Sequence, residues 1–254
     1  MTVVGVLHPG EMGAAVAGTL SGRGETVLWA SDGRSAATAA RAQAAGLEDA
    51  GSVGEVCRRS EILLSICPPH AAVDVAHQTS GFTGIYVDAN AISPETARAI
   101  AKLQPRFVDG GIVGPPPTEP GTTRLYLSGD EAAEVAALFS KTNVDARVIS
   151  DRARAASALK AAYAGWTKGS AALLLTVREL ARAEGVEDAL LEEWRLSIPE
   201  LEPRLAGAEH SARRKGWRWI GEMEEIAHSM AAQELPAGFH EAAAEVFRRT
   251  AEES

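Results

Sequence analysis

Aromatic residues make up only 5% of the 254-residue chain, and its 25 Lys and Arg are outnumbered by 34 Asp and Glu, for a net charge of −9. Neither a phosphate-neutralising surface nor a set of base-stacking rings is available, which excludes nucleic acid as a partner. Any anionic ligand must meet a local basic site. Cysteine is equally scarce: Cys57 and Cys67 are the only two. With no charged leader and no cleavable apolar segment, they indicate a reducing cytoplasm. Long hydrophobic runs are missing, since Leu173–Leu175 is far too short to span a bilayer, and no membrane partner is expected. No metal site is called for. What remains is a 46% hydrophobic, 23% charged composition, enough to bury a core and to form about two modest domains.

The most informative segment is the first. An apolar stretch, Thr2–Leu7, runs into His8-Pro9-Gly10-Glu11-Met12-Gly13 and then into the small-residue stretch Ala14–Leu20. A strand, a glycine-rich turn and a helix start let a backbone approach a pyrophosphate, with free N–H groups and the helix dipole to stabilise it. The dinucleotide fingerprint places glycines at 8, 10 and 13, and here position 8 is His. His8, Pro9, Gly10, Glu11 and Met12 are therefore the expected phosphate-side cofactor contacts.

Further along, strands are expected at Glu25–Ala30, Glu61–Cys67, Ile85–Ala89, Arg106–Asp109, Arg124–Ser128 and Ala146–Ile149. Helices are expected near Ser35–Ala45, Ala71–Gln78, Ser93–Leu103 and Glu131–Phe139. This alternation predicts a doubly wound, mostly parallel α/β sheet over residues 1–150. Ligands lie at the carboxyl ends of such strands, which turns Cys67, Pro68 and Asn90 toward the cofactor; Cys67 also reads as a small buried apolar group. After the second strand, Ser31, Arg34 and Ser35 suit the 2′-phosphate of NADP, whereas Asp32 suits the ribose hydroxyls of NAD. Ser31 and Ser35 also suit helix caps, Ser35 equally well. NADP is the expected cofactor and NAD the other candidate.

From Asp151 to Glu184 no proline interrupts a helical pattern, and Gly185 supplies a stop. This helix, about 50 Å long, would be a spine opening an all-helical substrate and dimerisation domain over residues 151–254. Between Ala155 and Thr176 only Lys160 and Lys168 are charged, so the helix should be buried on nearly every face. A lysine enclosed by Leu159, Ala161, Ala162 and Ala164 needs a function or a counter-charge, and burial would suit it to proton transfer. Tyr163 and Lys168 follow at helical spacing. Gly165 and Gly169 would allow close approach of a partner's backbone in a homodimer. Later, Arg213-Arg214-Lys215-Gly-Trp217-Arg218-Trp219 could gather an anionic substrate, with Met223 and His228 bordering the same cleft; His240, at a later helix start, is a further substrate candidate that packing or capping accounts for as well.

These motifs together resemble the β-hydroxyacid dehydrogenase superfamily, which includes 3-hydroxyisobutyrate and 6-phosphogluconate dehydrogenases. Leu7–Gly13 resembles its glycine turn with Met-Gly, Val87–Pro94 its strand end beside the nicotinamide, and Val108–Pro115 its substrate loop. The resemblance implies a Rossmann-like sheet, a catalytic lysine at Lys160, and substrate contacts at Gly111, Ile112, Val113 and Gly114. Leu159–Ser170, Gly221–Ile226 and Gly238–Ala243 are similar to the subgroup with a distinct, poorly characterised C-terminal domain. Departures are equally specific. The asparagine expected four residues after the lysine is Ala164, and the Ser-Gly-Gly anion cradle is Val113-Gly114-Pro115. The implied activity is NAD(P)-dependent hydride transfer to or from a small polar carbonyl or hydroxy compound, with Lys160 as general acid and base. The alternatives are an imine-reductase-like enzyme, suggested by Asp109-Gly-Gly-Ile112, and a non-catalytic nucleotide-sensing protein.

Overall fold

The computed structural model describes residues 1–252. The chain divides into two compact units at Lys160/Ala161. The first carries strands β1 (Val3–Val6), β2 (Thr26–Trp29), β3 (Glu48–Asp49), β4 (Ile62–Ser65), β5 (Ile85–Asp88), β6 (Phe107–Val113), β7 (Thr123–Ser128) and β8 (Val144–Ser150). Helices α1 (Glu11–Arg23), α2 (Ala36–Ala44), α3 (Val53–Arg59), α4 (Ala72–Gln78), α5 (Pro94–Ala101) and α6 (Ala132–Leu138) alternate with them. All eight strands form one sheet in the order β3-β2-β1-β4-β5-β6-β7-β8, parallel except between β6 and β7.

The sequence explains both faces of this sheet. Ile62, Leu64, Ile85 and Val87 join one buried cluster while Leu63 and Tyr86 join another, so adjacent residues of one strand serve opposite layers. Continuous apolar runs are what a sheet covered on both faces requires. Helix starts follow their caps: Ser35, Ser52 and Ser93 accept from the backbone N–H groups of Thr38, Glu55 and Thr96, and Pro94 takes the first helical position. Gly24, with φ +100°, closes α1 in the left-handed region. Arg23, in the last turn of α1, donates to the carbonyls of Ala137, Leu138 and Ser140 at the end of α6, satisfying acceptors the helix cannot.

Three features differ from the sequence expectation. The two-residue β3 and the short α3 carry no long periodic signal; β3 is exposed at both residues. Strand β6 runs on to Val113 and turns back antiparallel into β7, because Gly110 and Gly111 are buried strand residues rather than the start of a loop. The long helix α7 (Ala155–Ala183) begins four residues later than Asp151, since Arg154 sits at φ +96°, outside the helical region.

The second unit is helical. Beyond α7 come α8 (Glu187–Ser197), α9 (Leu201–Ala231) and α10 (Gly238–Glu252). Its core gathers Ala164, Ala172, Ala212, Met223, Ile226, Ala243, Ala244 and Phe247, with Trp219 meeting Phe247 edge-on at 5.0 Å. Against expectation α7 is not enclosed: Tyr163, Trp166, Leu173 and Leu180 stand exposed, because the helices of this unit cover one face of α7 only. Gly165 and Gly169 do permit a close approach, but by His240 of this chain: a Cβ at either would meet its ring at 3.1 and 3.4 Å. Among the described residues no helix is long and apolar enough to cross a membrane.

Candidate nucleotide site and the start of the long helix

The β1–α1 turn is built by close backbone packing. Gly10 donates to the His8 carbonyl at 2.8 Å and accepts from Ala14 N–H at 2.9 Å. A Cβ on Gly13 would lie 2.3 Å from the His8 oxygen, so this position tolerates no side chain. Gly10 caps α1 without a side-chain hydrogen bond, and a Cβ there would meet nothing within 4 Å. The helix start thus keeps free N–H groups in open space, the arrangement that favours an anion.

Basic side chains surround the turn. Arg34, on the loop after β2, donates weakly to the Leu7 carbonyl at 3.5 Å, and Arg41 of α2 donates to the Pro9 carbonyl at 3.4 Å and to Thr38 Oγ1 at 3.1 Å. His8 is half-buried; burial first, then the Arg34 charge, pushes its pKa down to about 4. His8 Nδ1 and Arg34 Nε are inaccessible and have no protein partner. Buried donors of this kind fit a dinucleotide's phosphate oxygens. Ser35 Oγ is engaged as the α2 cap, accepting from Thr38 N–H. Ser31 closes a turn with Arg34 N–H and helps hold the Asp49 carboxyl below its usual range, after the Gly51 N–H. Asp32 and Glu11 are exposed, and Met12 packs against the core. Thr38 and Arg41 were not anticipated; an arginine inside α2 carries no glycine or strand-end signal.

At the ends of β4 and β5, Asn90 is buried and fully committed. Its amide donates to Asp88 at 2.9 Å and to Ser65 at 3.1 Å, and its oxygen accepts from Cys67 N–H. Enclosure pushes the Asp88 carboxyl up to about 7 against the opposing Asn90 hydrogen bonds. Burial and then the Asp88 charge raise the Cys67 thiol to about 12, the behaviour of a packing group rather than a nucleophile. Pro68 opens the short 3₁₀ turn Pro69–Ala71 that leads into α4.

Asp109 of β6 faces Ser128 of β7 in register, and the pair receives the first turn of α7. Its buried carboxylate accepts from Ser128 Oγ at 3.1 Å, from Ser157 N–H at 2.9 Å and from Ser157 Oγ; Ala156 N–H donates to Ser128 Oγ at 3.0 Å. A Cβ on Gly111 would stand 3.0 Å from both the Ala156 carbonyl and Lys160 Cβ. The glycine therefore sets how closely α7 approaches the sheet, and Lys160 follows Ser157 by one turn. Lys160 is half-buried, not enclosed, with Ala162 exposed beside it. Gly111, Ile112 and Val113 are buried in β6, which corrects their placement in a loop. Gly114, at φ +122°, turns the hairpin; a Cβ there would strike the Thr122 carbonyl at 2.2 Å, so this bend requires glycine.

In the helical unit, Lys168 is paired with Glu222 and lies 5.6 Å from the centre of the Trp219 ring. Met223 is fully buried in the core, the position of a packing residue rather than of a substrate contact. His240 is buried, its Nε2 3.4 Å from the Gly165 carbonyl. Tyr163, Arg213, Arg214 and Trp217 are exposed, while Trp219 turns inward, so the basic-aromatic stretch does not act as one patch. A cleft of about 590 Å³, lined by Trp166, Trp194, Trp219 and Arg204 among others, was not anticipated, because its walls come from three separate helices.

Residues 181–250 match the family model described as a domain of unknown function (DUF1932). An uncharacterised 28.5 kDa protein of Methanothermus fervidus is 33% identical over 163 residues, and the match spans 63% of each chain. The conserved protein MTH1747, whose structure reveals similarity with 3-hydroxyacid dehydrogenases, is 29% identical with a TM-score of 0.74, over 98% of this chain and 97% of that one. A reductive aminase from Aspergillus terreus, solved with NADPH and ethyl levulinate, shares the fold at 21% identity and a TM-score of 0.62, over 100% and 95% of the two chains. The chain thus shares its fold with MTH1747 over nearly its whole length, and its C-terminal part is similar to the DUF1932 domain.

Proposed function

We propose that the protein is an NAD(P)-dependent oxidoreductase acting on a small polar carbonyl or hydroxy compound, with NADP preferred to NAD. The observation that carries this reading is the uncapped start of α1 with His8, Arg34 and Arg41 gathered around it in a chain of net charge −9. The MTH1747 likeness and the NADPH-bound reductive aminase support it. When bound, the nicotinamide supplies or accepts the hydride. Arg34 and Arg41 hold the phosphates, and Asn90, locked by Asp88 and Ser65, presents a rigid wall at the strand ends. Lys160, fixed in height by Asp109 and Gly111, gives a proton to the carbonyl oxygen in reduction and recovers it in oxidation. A panel of carbonyls and cyclic imines assayed with NADPH and NADH tests this. Carbonyl reduction that Lys160→Met slows about 10²–10⁴-fold, with cofactor affinity within about twofold, is the expected result. Turnover of imines alone would support the imine-reductase-like alternative that the reductive aminase fold favours, and unimpaired Lys160→Met would remove the lysine from the mechanism.

The same proposal includes a homodimer. Trp166 and Leu173, both on the wall of the tryptophan-lined cleft, are 71% and 49% exposed, an apolar surface that a second copy of the chain would cover.

A further inference from the structure

We infer that His8 is a proton-accepting ligand of the cofactor phosphates, so that a dinucleotide binding at the β1–α1 turn brings a proton onto the imidazole. The inference rests on the nucleotide reading above and goes beyond it, because a glycine at position 8 could neither donate nor titrate.

The turn places the His8 ring beside the Arg34 guanidinium, and one nitrogen of each is inaccessible and without a protein partner. A neutral imidazole has a single N–H to donate, whereas the imidazolium has two, and two donors suit an anion with several oxygens. The charged group that acts on the ring is Arg34 from the β2–α2 loop; Arg41 of α2 is bonded to the neighbouring Pro9 carbonyl, and Glu11, the first residue of α1, is exposed. Burial and Arg34 both oppose protonation in the free protein. Phosphate groups arriving at the turn would offset the Arg34 charge and return the imidazole toward its ordinary range.

The test is calorimetry of NADPH and of NADH at pH 6, each in two buffers of different ionisation enthalpy, on the wild type and on His8→Gln. The 2′-phosphate of NADPH, which itself ionises near pH 6, releases a proton against an arginine, so the quantity read is the difference between the two proteins with the same cofactor. If the bound imidazole titrates near 6.5, the wild type takes up about 0.5–0.8 proton more per cofactor than the variant, with NADPH and NADH alike. Between pH 6 and pH 8 its affinity then falls about fourfold more than that of His8→Gln. In the ¹⁵N-labelled wild type, NADPH added at pH 6 moves the His8 ring from the neutral to the protonated signature, a readout that needs no variant. Equal proton counts, or a ring that stays neutral with NADPH bound, overturn the role of His8 alone. Absence of any heat with either cofactor overturns the nucleotide reading and this inference with it.

Discussion

Removing the carboxylate of Asp109 should loosen the first turn of α7. In Asp109→Ala three buried donors lose their acceptor: the Ser157 N–H, the Ser157 hydroxyl and the Ser128 hydroxyl, all on residues with no exposed surface. The hydroxyls can rotate toward other acceptors, but the N–H cannot. Hydrogen bonds to a charged group contribute about 1.5–3 kcal/mol, and a stranded buried donor costs about 1–3 kcal/mol. Against this stands relief of burying the carboxylate itself, whose pKa enclosure has already raised. The net loss should be about 2–4 kcal/mol. Asp109→Asn keeps one acceptor for the N–H and should lose about half as much, and Ser157→Ala about 1 kcal/mol. Urea unfolding gives the order of the three variants, and hydrogen exchange at Ser157 gives the local effect, with faster exchange expected in Asp109→Ala. A variant within about 0.5 kcal/mol of wild type, with Ser157 equally protected, would refute the reasoning.

Four other outcomes are expected. NADPH should bind at least about tenfold more tightly than NADH, and Arg34→Ala should erase the difference in calorimetry, because charge-assisted contacts contribute about 1.5–3 kcal/mol. Asp88 has a folded pKa of about 7 against 3.8 for the free side chain, so between about pH 4 and 7 the folded state binds the extra proton and stability falls as pH rises. Urea titrations across that window should show a wild-type slope steeper than that of Asp88→Asn by up to about 1.36 kcal/mol per pH unit, and matching slopes would contradict the assignment. Lys168→Met strands Glu222 in the helical unit and should cost about 3–5 kcal/mol in thermal melting, most of it restored by adding Glu222→Met. Light scattering at micromolar concentration should return twice the 26.6 kDa chain mass, and a persistent monomer would remove the dimer proposal.

Much of the first unit is legible in the sequence because its signals are local. Apolar runs such as Ile62–Ser65 and the Ser93-Pro94 start each state their structure within a few residues. What was illegible depends on distant neighbours. Gly110 and Gly111 read as a loop, yet they are strand residues because Asp88, Ala89 and α7 crowd them. Gly165 and Gly169 read as a contact surface for another chain, and their spacing is right for close packing, but the ring that fills the space comes from His240, some seventy residues later. At the candidate site the turn residues could be named from the glycine pattern, and Arg34 from its place after the second strand. Arg41 could not, since it reaches the turn only through the geometry of α2.

The inversion of β6 and β7 also bears on the order in which the protein is assembled during synthesis. Asp109 and Ser128 face each other across a hairpin whose two strands are close in the chain, whereas joining β1 to β4 closes a loop of more than fifty residues. Nearby segments find one another with less loss of chain entropy, and a growing polypeptide offers its earlier residues first. Chain entropy therefore favours bringing together the acceptors for Ala156 and Ser157 ahead of the longer-range closures. The first turn of the long helix has these short-range contacts to settle on, and the height of Lys160 above the sheet follows from Asp109 and Gly111.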